Sequence, residues 1–132
     1  MLLLTGATGY FGAALCAAMK DRGIPVRLAG RSAPGEAGVD WMHYDMAAPN
    51  DPSEDLFADV SCVIHSAGLA HRRACEADYQ SVNVDGTSRL PAAAAAAGVA
   101  HFLCLSSFNV VPADACTPDA DAHAYRGPPE TY

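Results

Sequence analysis

Hydrophobic and polar positions fall into two kinds of block along this chain. Residues 1–4, 26–29, 60–65 and 102–105 are short, nearly continuous apolar runs. Runs of this length without alternation predict strands of a parallel sheet, buried on both faces. Residues 39–44 add a further strand, with Val39, Trp41 and Tyr44 at its apolar positions. Between the runs lie segments with a helical period. Residues 10–22 place Phe11, Leu15, Ala18 and Met19 on one face, and Gly23 closes this helix after Lys20 and Arg22. Residues 50–58 read as a short helix, with Asp51 as its cap and Pro52 in its first turn. Residues 74–97 read as a longer helix that Gly98 ends. Pro91 falls inside it. An interior proline removes a backbone hydrogen bond at a cost of about 3 kcal/mol, which predicts a kink near Ser88 or a restart at Pro91. From 112 to 129, proline, aspartate and alanine follow no period, and the stretch reads as an irregular loop.

Between the first strand and the first helix stand Gly6, Gly9 and Gly12. A buried strand, a glycine turn and a helix start make a dinucleotide-binding unit. Glycine supplies the angles of the tight turn, and its missing side chain lets backbone approach a pyrophosphate and helix pack on strand. The helix N-terminus then offers free N–H groups and positive dipole to the phosphates. Gly6, Thr8, Gly9, Tyr10, Phe11 and Gly12 are the expected cofactor contacts. The spacing Gly-x-x-Gly-x-x-Gly differs from the usual Gly-x-Gly-x-x-Gly, so the context carries the assignment. A plain strand-to-helix turn is the competing reading.

The stretch Thr5-Gly6-Ala7-Thr8-Gly9-Tyr10-Phe11-Gly12 also resembles the nucleotide loop of extended short-chain dehydrogenases/reductases, the NAD-dependent epimerase/dehydratase family. Further stretches follow in the family's order. Gly30, Arg31 and Ser32 end the second strand, where such a fold meets the adenosine ribose. An acid there would grip the ribose 2′-hydroxyl. Arg31 stands instead and leans the cofactor, NAD or NADP, toward NADP; a solvated surface arginine is the alternative. The resemblance implies that Asp45, followed by Met46, meets the adenine amino group, against a loop aspartate with no partner. His65-Ser66-Ala67-Gly68 resembles a family stretch lining the cofactor, with Ala67 and Gly68 small enough to pass beneath a flat ring. His65 itself reads as structural, with no partner evident. Asn83-Val84-Asp85-Gly86-Thr87 matches the Asn-Val-x-Gly-Thr of the family's central helix. By resemblance Asn83 supports the active site through water and backbone contacts; a helix-surface asparagine is the alternative.

The family's catalytic serine lies in a Ser-Ser-x-x-Val stretch after the fifth strand, which carries over to Ser107, against a structural strand-end serine. Its base is the tyrosine of Tyr-x-x-x-Lys. Tyr125 has Pro129 at the lysine position and fails; Tyr132 follows Pro128-Pro129-Glu130-Thr131 and suits the pattern. The matching lysine would fall four residues on, past residue 132. The resemblance implies that Tyr132 takes a hydroxyl proton while the neighbouring carbon gives hydride to the nicotinamide, with Ser107 steadying the oxygen. A tyrosine needs its pKa lowered by roughly three units, about 4 kcal/mol, to act as a base near neutral pH, and the lysine normally supplies much of this.

Composition narrows the setting. A length of 132 residues with 51% hydrophobic and 17% charged positions fits one globular domain. A formal net charge of −7 argues against a nucleic-acid partner, so local groups must hold an anionic nucleotide. No apolar run approaches the roughly 20 residues of a membrane span. Of five cysteines, Cys16, Cys62 and Cys104 lie in apolar patterns and are expected in the core. The odd count and the lack of a Cys-x-x-Cys pair suit a reducing, cytoplasmic compartment, and no ligand spacing suggests a metal.

Together these readings predict a Rossmann-like, doubly wound α/β domain over residues 1–132 with strand order 3-2-1-4-5. It is expected to stop before the last strands and the substrate domain of a whole family member. The edge beyond the fifth strand is then open to self-association as a homodimer. The leading function is the cofactor-binding part of a nucleotide-sugar epimerase or dehydratase. A non-catalytic NAD(P)-binding module and a reductase of small carbonyl compounds are the alternatives.

Overall fold

A computed structural model describes residues 1–35, 38–70 and 74–106. Ser107 and Tyr132 lie outside them, as do Tyr125 and the loop expected over 112–129. The elements run β1 (Leu2–Thr5), α1 (Tyr10–Asp21), β2 (Val26–Gly30), β3 (Trp41–His43), a 3-10 turn (Glu54–Phe57) and β4 (Cys62–His65). Then follow α2 (Glu76–Tyr79), a run of wide π-type turns (Gln80–Gly86), α3 (Thr87–Ala96) and β5 (His101–Cys104). All strand pairs are parallel, in the order β3-β2-β1-β4-β5. This is the doubly wound sheet that the block pattern predicts. Its chain reversal lies between β1 and β4, where ligands of such sheets bind at the carboxyl ends of the strands.

The central strand shows why its leucines are needed. Leu3 and Leu4 are both fully buried, although neighbouring side chains in a strand point to opposite faces. Leu3 joins Val63, Leu56, Phe57, Leu90 and Ala94 in the main core cluster. Leu4 and its register partner Leu28 are buried on the other face.

Several local expectations are corrected. In α1 the buried residues are Gly12 and Met19, with Leu15 and Cys16 partly covered, while Phe11 is 48% exposed. Leu15, Ala18 and Met19 keep the expected face, and only Phe11 departs from it, because Gly12 is the residue set against the glycine loop. The helix expected over 50–58 is only the turn Glu54–Phe57, and its cap is Ser53, whose hydroxyl accepts from Asp55 N–H at 3.3 Å. Arg27 donates to the carbonyls of Asp55, Leu56 and Ala58 at 3.1, 3.3 and 3.0 Å, taking up the end of this turn. Asp59, with φ of 60°, then turns the chain out of helical geometry.

The long helix begins at Glu76 and is irregular upstream of the place that Pro91 suggests. α3 runs straight through Pro91, with no break at Ser88. The departure lies at Gln80–Gly86, and side chains take up carbonyls there. Thr87 Oγ1 donates to Val82 O at 3.4 Å, Ser88 Oγ to Asp85 O at 2.9 Å, and Tyr44 Oη to Gly86 O at 3.4 Å.

Cys16 and Cys62 are partly buried, but Cys104 is exposed. It lies on the edge strand β5, where Leu103 is also 53% exposed. Among the described residues, no helix is long and apolar enough to cross a membrane.

Candidate functional site

The glycine loop is built by contact of three backbone segments at the chain reversal. Gly6 has φ of +78°, a left-handed conformation that costs any other residue about 1–2 kcal/mol. A Cβ on Gly6 would stand 2.6 Å from Ala67 N and 2.7 Å from the Ser66 carbonyl carbon. The ends of β1 and β4 are thus in direct backbone contact, which explains the small residues on both. Ser66 Oγ donates to Thr5 O at 2.7 Å and closes the same junction. From above, Gly9 N–H donates to Gly6 O at 2.9 Å, and a Cβ on Gly12 would overlap Gly6 O. Gly9 differs from both. Its backbone is extended (φ −77°, ψ 165°), and among the described residues, chain neighbours aside, Gly6 O at 3.3 Å is the one atom within 4 Å of a Cβ built on it.

Among the described residues, no cap uses the first N–H groups of α1. No side chain caps it, and its first turn holds no acidic residue. The leading N–H groups of a helix have no intrahelical partner, so they and the helix dipole form a site for an anion. Tyr10 is 99% exposed and leaves the approach open. A cradle of bare backbone facing an uncapped 12-residue helix fits a pyrophosphate.

Beside the loop lies a cleft of about 110 Å³ between Gly6–Thr8 and Gly30–Ser32, flanked by Pro34 and Trp41. Arg31 and Ser32 are exposed at its rim. No carboxylate lines it among the described residues.

Asp45 follows β3 and does not line that cleft. Its Oδ1 accepts from Ala47 N–H at 3.0 Å, and its carbonyl accepts from Ala48 N–H at 3.1 Å. Met46, next in line, is buried in the core cluster. The turn rests on the central helix, where a Cβ on Gly86 would stand 2.5 Å from Met46 O. Arg89 Nη2 donates to the carbonyls of Met46 and Ala48 at 2.9 and 2.7 Å.

His65 does have partners, against expectation. Its ring is buried, with Nδ1 2.6 Å from Thr5 Oγ1 and Nε2 3.2 Å from Thr87 Oγ1. Thr87 Oγ1 also donates to Val82 O, so Nε2–H must donate to Thr87, and Nδ1 then accepts from Thr5. Thr5 Oγ1 in turn accepts from Ala67 N–H at 3.4 Å. A second ring proton would leave the Thr5 hydroxyl without its acceptor. Burial also holds the imidazole pKa down to about 4, so the ring is neutral. His65 thus ties β1, β4 and the central helix together beneath the loops.

Asn83 clamps the segment after Gly68. Its Oδ1 accepts from Leu69 N–H at 2.7 Å, and its Nδ2 donates to Leu69 O at 2.9 Å. It is therefore no free helix-surface residue, and Gly68 lies directly against it, a built Cβ being 3.2 Å from Oδ1.

The structure brings Gly6, Thr8, Gly9, Tyr10, Phe11, Gly12, Ala67 and Gly68 to one loop junction, with Arg31 across the neighbouring cleft. Asp45 and Met46 form a separate turn, and Ser107 and Tyr132 lie outside the described residues. Sequence reasoning missed Thr5, Thr87 and Arg89, whose partners stand tens of residues away in the chain. Arg89 did carry one signal, a charged residue three positions after Gly86 in a helix otherwise rich in alanine. Among the described residues, no group of three or more His, Cys, Asp or Glu could hold a metal.

A family model described as the NAD dependent epimerase/dehydratase family matches residues 2–132. Short-chain dehydrogenase/reductase family 42E member 1 of Macaca fascicularis is 32% identical over 118 residues, covering 83% of this chain and 30% of that protein. A short-chain dehydrogenase/reductase superfamily protein from Agrobacterium tumefaciens, solved with bound NAD, superposes with a TM-score of 0.71 at 33% identity. The match covers 85% of this chain and 34% of that one. MoeE5, solved with UDP-glucose and NAD, gives a TM-score of 0.72 at 28% identity over 84% of this chain and 38% of its own. The chain thus spans 30% of the curated relative's length.

Proposed function

We propose that this chain, which belongs to the NAD-dependent epimerase/dehydratase family, is the cofactor-binding part of an NAD(P)-dependent enzyme acting on nucleotide-linked sugars. One observation carries the cofactor reading. The N-terminus of α1 is uncapped and stands over a loop whose glycines leave only backbone at the anion site. In this reading Gly9 and the first N–H groups of α1 hold the pyrophosphate. Arg31 meets the adenosine ribose, Asp45 accepts from the adenine amino group, and Ala67 and Gly68 pass beneath the flat ring. Asn83 fixes the backbone beside Gly68 through its two bonds to Leu69. Ser107 and Tyr132 are the proposed substrate-facing pair. The bound nicotinamide supplies a hydride acceptor, and the protein's task is to orient the sugar carbon and remove the hydroxyl proton.

Arg31 supports a cofactor that carries a 2′-phosphate, because the ribose cleft offers a guanidinium and, among its described lining residues, no carboxylate. The sugar reading has its support in MoeE5, a relative solved with UDP-glucose. Calorimetric titration of the purified chain with NAD and NADP tests the cofactor reading; saturable one-to-one binding is expected, and no heat from either overturns it. Addition of UDP-glucose to the NAD-loaded protein tests the substrate reading through the near-ultraviolet absorbance of reduced nicotinamide.

A further inference from the structure

The geometry points to Arg89 as the positioning residue that holds the Asp45 turn in the shape that recognises adenine. This rests on the reading of Asp45 given above. Both N–H donors of a single nitrogen, Nη2, are used: one on Met46 O at 2.9 Å and one on Ala48 O at 2.7 Å. Those carbonyls bracket the turn that Asp45 opens. Within the turn, Asp45 Oδ1 is already engaged by Ala47 N–H. Its Oδ2 has no hydrogen bond among the described residues, and in this reading Oδ2 is the oxygen that accepts from the adenine amino group. An exocyclic amino group is a donor of the kind that oxygen takes.

The buried side chains of Tyr44 and Met46 anchor the turn in the core. Gly86 lets the helix backbone come against Met46 O, and Tyr44 Oη reaches Gly86 O at 3.4 Å. These contacts set the depth of the turn. The two bonds from Arg89 add a second hold, on the carbonyls either side of Ala47. Gly86 and Arg89 are three residues apart and share one helix face, so a single surface supplies both the gap and the clamp. Arg89 Nε is buried with no hydrogen-bond partner, so the side chain is committed to this place without full internal compensation. The planar guanidinium suits it to two carbonyls at once; a lysine ammonium presents a compact point charge on a flexible stem.

The test compares NAD with nicotinamide hypoxanthine dinucleotide, in which the adenine amino group is replaced by an oxygen. Equilibrium dissociation constants are measured for the wild-type chain and for Asp45→Ala, Arg89→Met and Arg89→Lys. The wild type should prefer NAD by at least about 10-fold, the size of one hydrogen bond to a charged group. Asp45→Ala should bring that ratio close to one. Arg89→Met should do the same by weakening NAD while leaving the hypoxanthine analogue nearly unchanged, and Arg89→Lys should give an intermediate ratio. A support role for the fold alone would weaken both dinucleotides alike and keep the ratio, and that result overturns the proposal. A wild type that does not discriminate removes the Asp45 reading and the Arg89 proposal with it. A discriminating wild type with discriminating Arg89 variants removes only the latter. If Arg89→Met does not fold, Arg89→Lys decides: a wild-type ratio there overturns the proposal, and a lowered ratio supports it.

Discussion

Three glycines spaced three apart suggest one role, but their surroundings predict three separable outcomes when each becomes alanine. At Gly12 the new Cβ would overlap Gly6 O and stand 2.7 Å from Gly6 C and 2.9 Å from Ala7 Cα. All of these are backbone atoms and none can rotate away. Overpacking of this kind costs about 1–3 kcal/mol, and α1 must lift from the loop to relieve it. At Gly6 the steric conflict with Ala67 N adds to a left-handed φ of +78°, so the loss there should be larger still. Gly9→Ala is the informative variant. Its backbone angles suit alanine, and the single neighbour, Gly6 O at 3.3 Å, needs to give only slightly. Reduced freedom of the unfolded chain would stabilise it by about 0.4–1 kcal/mol, and alanine's weakness as an N-cap offsets that. Its stability should therefore stay within about 1 kcal/mol of wild type, whereas Gly12→Ala should lose about 3–15 °C in Tm, at roughly 3–5 °C per kcal/mol for a domain of this size. The methyl of Gly9→Ala nevertheless stands on the open side of the loop. Displacing a phosphate from one or two charged hydrogen bonds of about 1.5–3 kcal/mol each should weaken NAD binding more than 10-fold. Thermal unfolding by circular dichroism and calorimetric titration read the two effects separately. Wild-type NAD affinity in Gly9→Ala would refute the phosphate assignment, and a wild-type Tm in Gly12→Ala would refute the packing argument.

Acid should weaken the fold through His65. Above pH 6.5 its ring is neutral whether folded or not; below it the unfolded chain gains a proton that the folded one, with a pKa of about 4, does not. Stability from this group is thus complete above 6.5, falls as pH drops, and is lost by about 4, a total of about 3 kcal/mol, of which about 1 kcal/mol should be gone by pH 5.5. Denaturant titrations between pH 7 and 5.5 should show that slope in the wild type and a smaller one in His65→Gln; equal slopes would count against the buried neutral ring. Arg31→Ala should weaken NADP about 10-fold or more while changing NAD little, as loss of a charged contact to a 2′-phosphate requires; equal effects on both cofactors would return Arg31 to a solvated surface role.

The sheet was legible because parallel strands buried on both faces write their length directly into the sequence, as in Leu2–Thr5 and Cys62–His65. The glycine loop was legible for a related reason: close backbone contact admits only one residue type at Gly6 and Gly12. Asn83, singled out through resemblance, does bond backbone, that of Leu69. The failures share a different cause. The short turn at Glu54–Phe57 has its end taken up by Arg27, 28 positions before Asp55, and no local pattern announces those bonds. The wide turns at Gln80–Gly86 depend on Tyr44 and on hydroxyls that local propensity counts as neutral. Cys104 looked like a core residue because a run of apolar letters does not say whether its strand is central or at an edge.

The central helical segment has one arrangement with several consequences. Asn83 holds Leu69, Gly86 and Arg89 seat the Asp45 turn, and Thr87 reaches His65, which bonds Thr5 beneath the glycine loop. Residues 83–89 thus touch the supports of three proposed cofactor contacts that come from separate strands. A regular α-helix repeats every 3.6 residues and would direct these side chains along narrower rows. The wide turns across Gln80–Gly86 space Asn83, Thr87 and Arg89 differently from a regular helix, and this segment serves both the β4 loop and the β3 turn. With the wide turns in place, the same segment supports both loops at once.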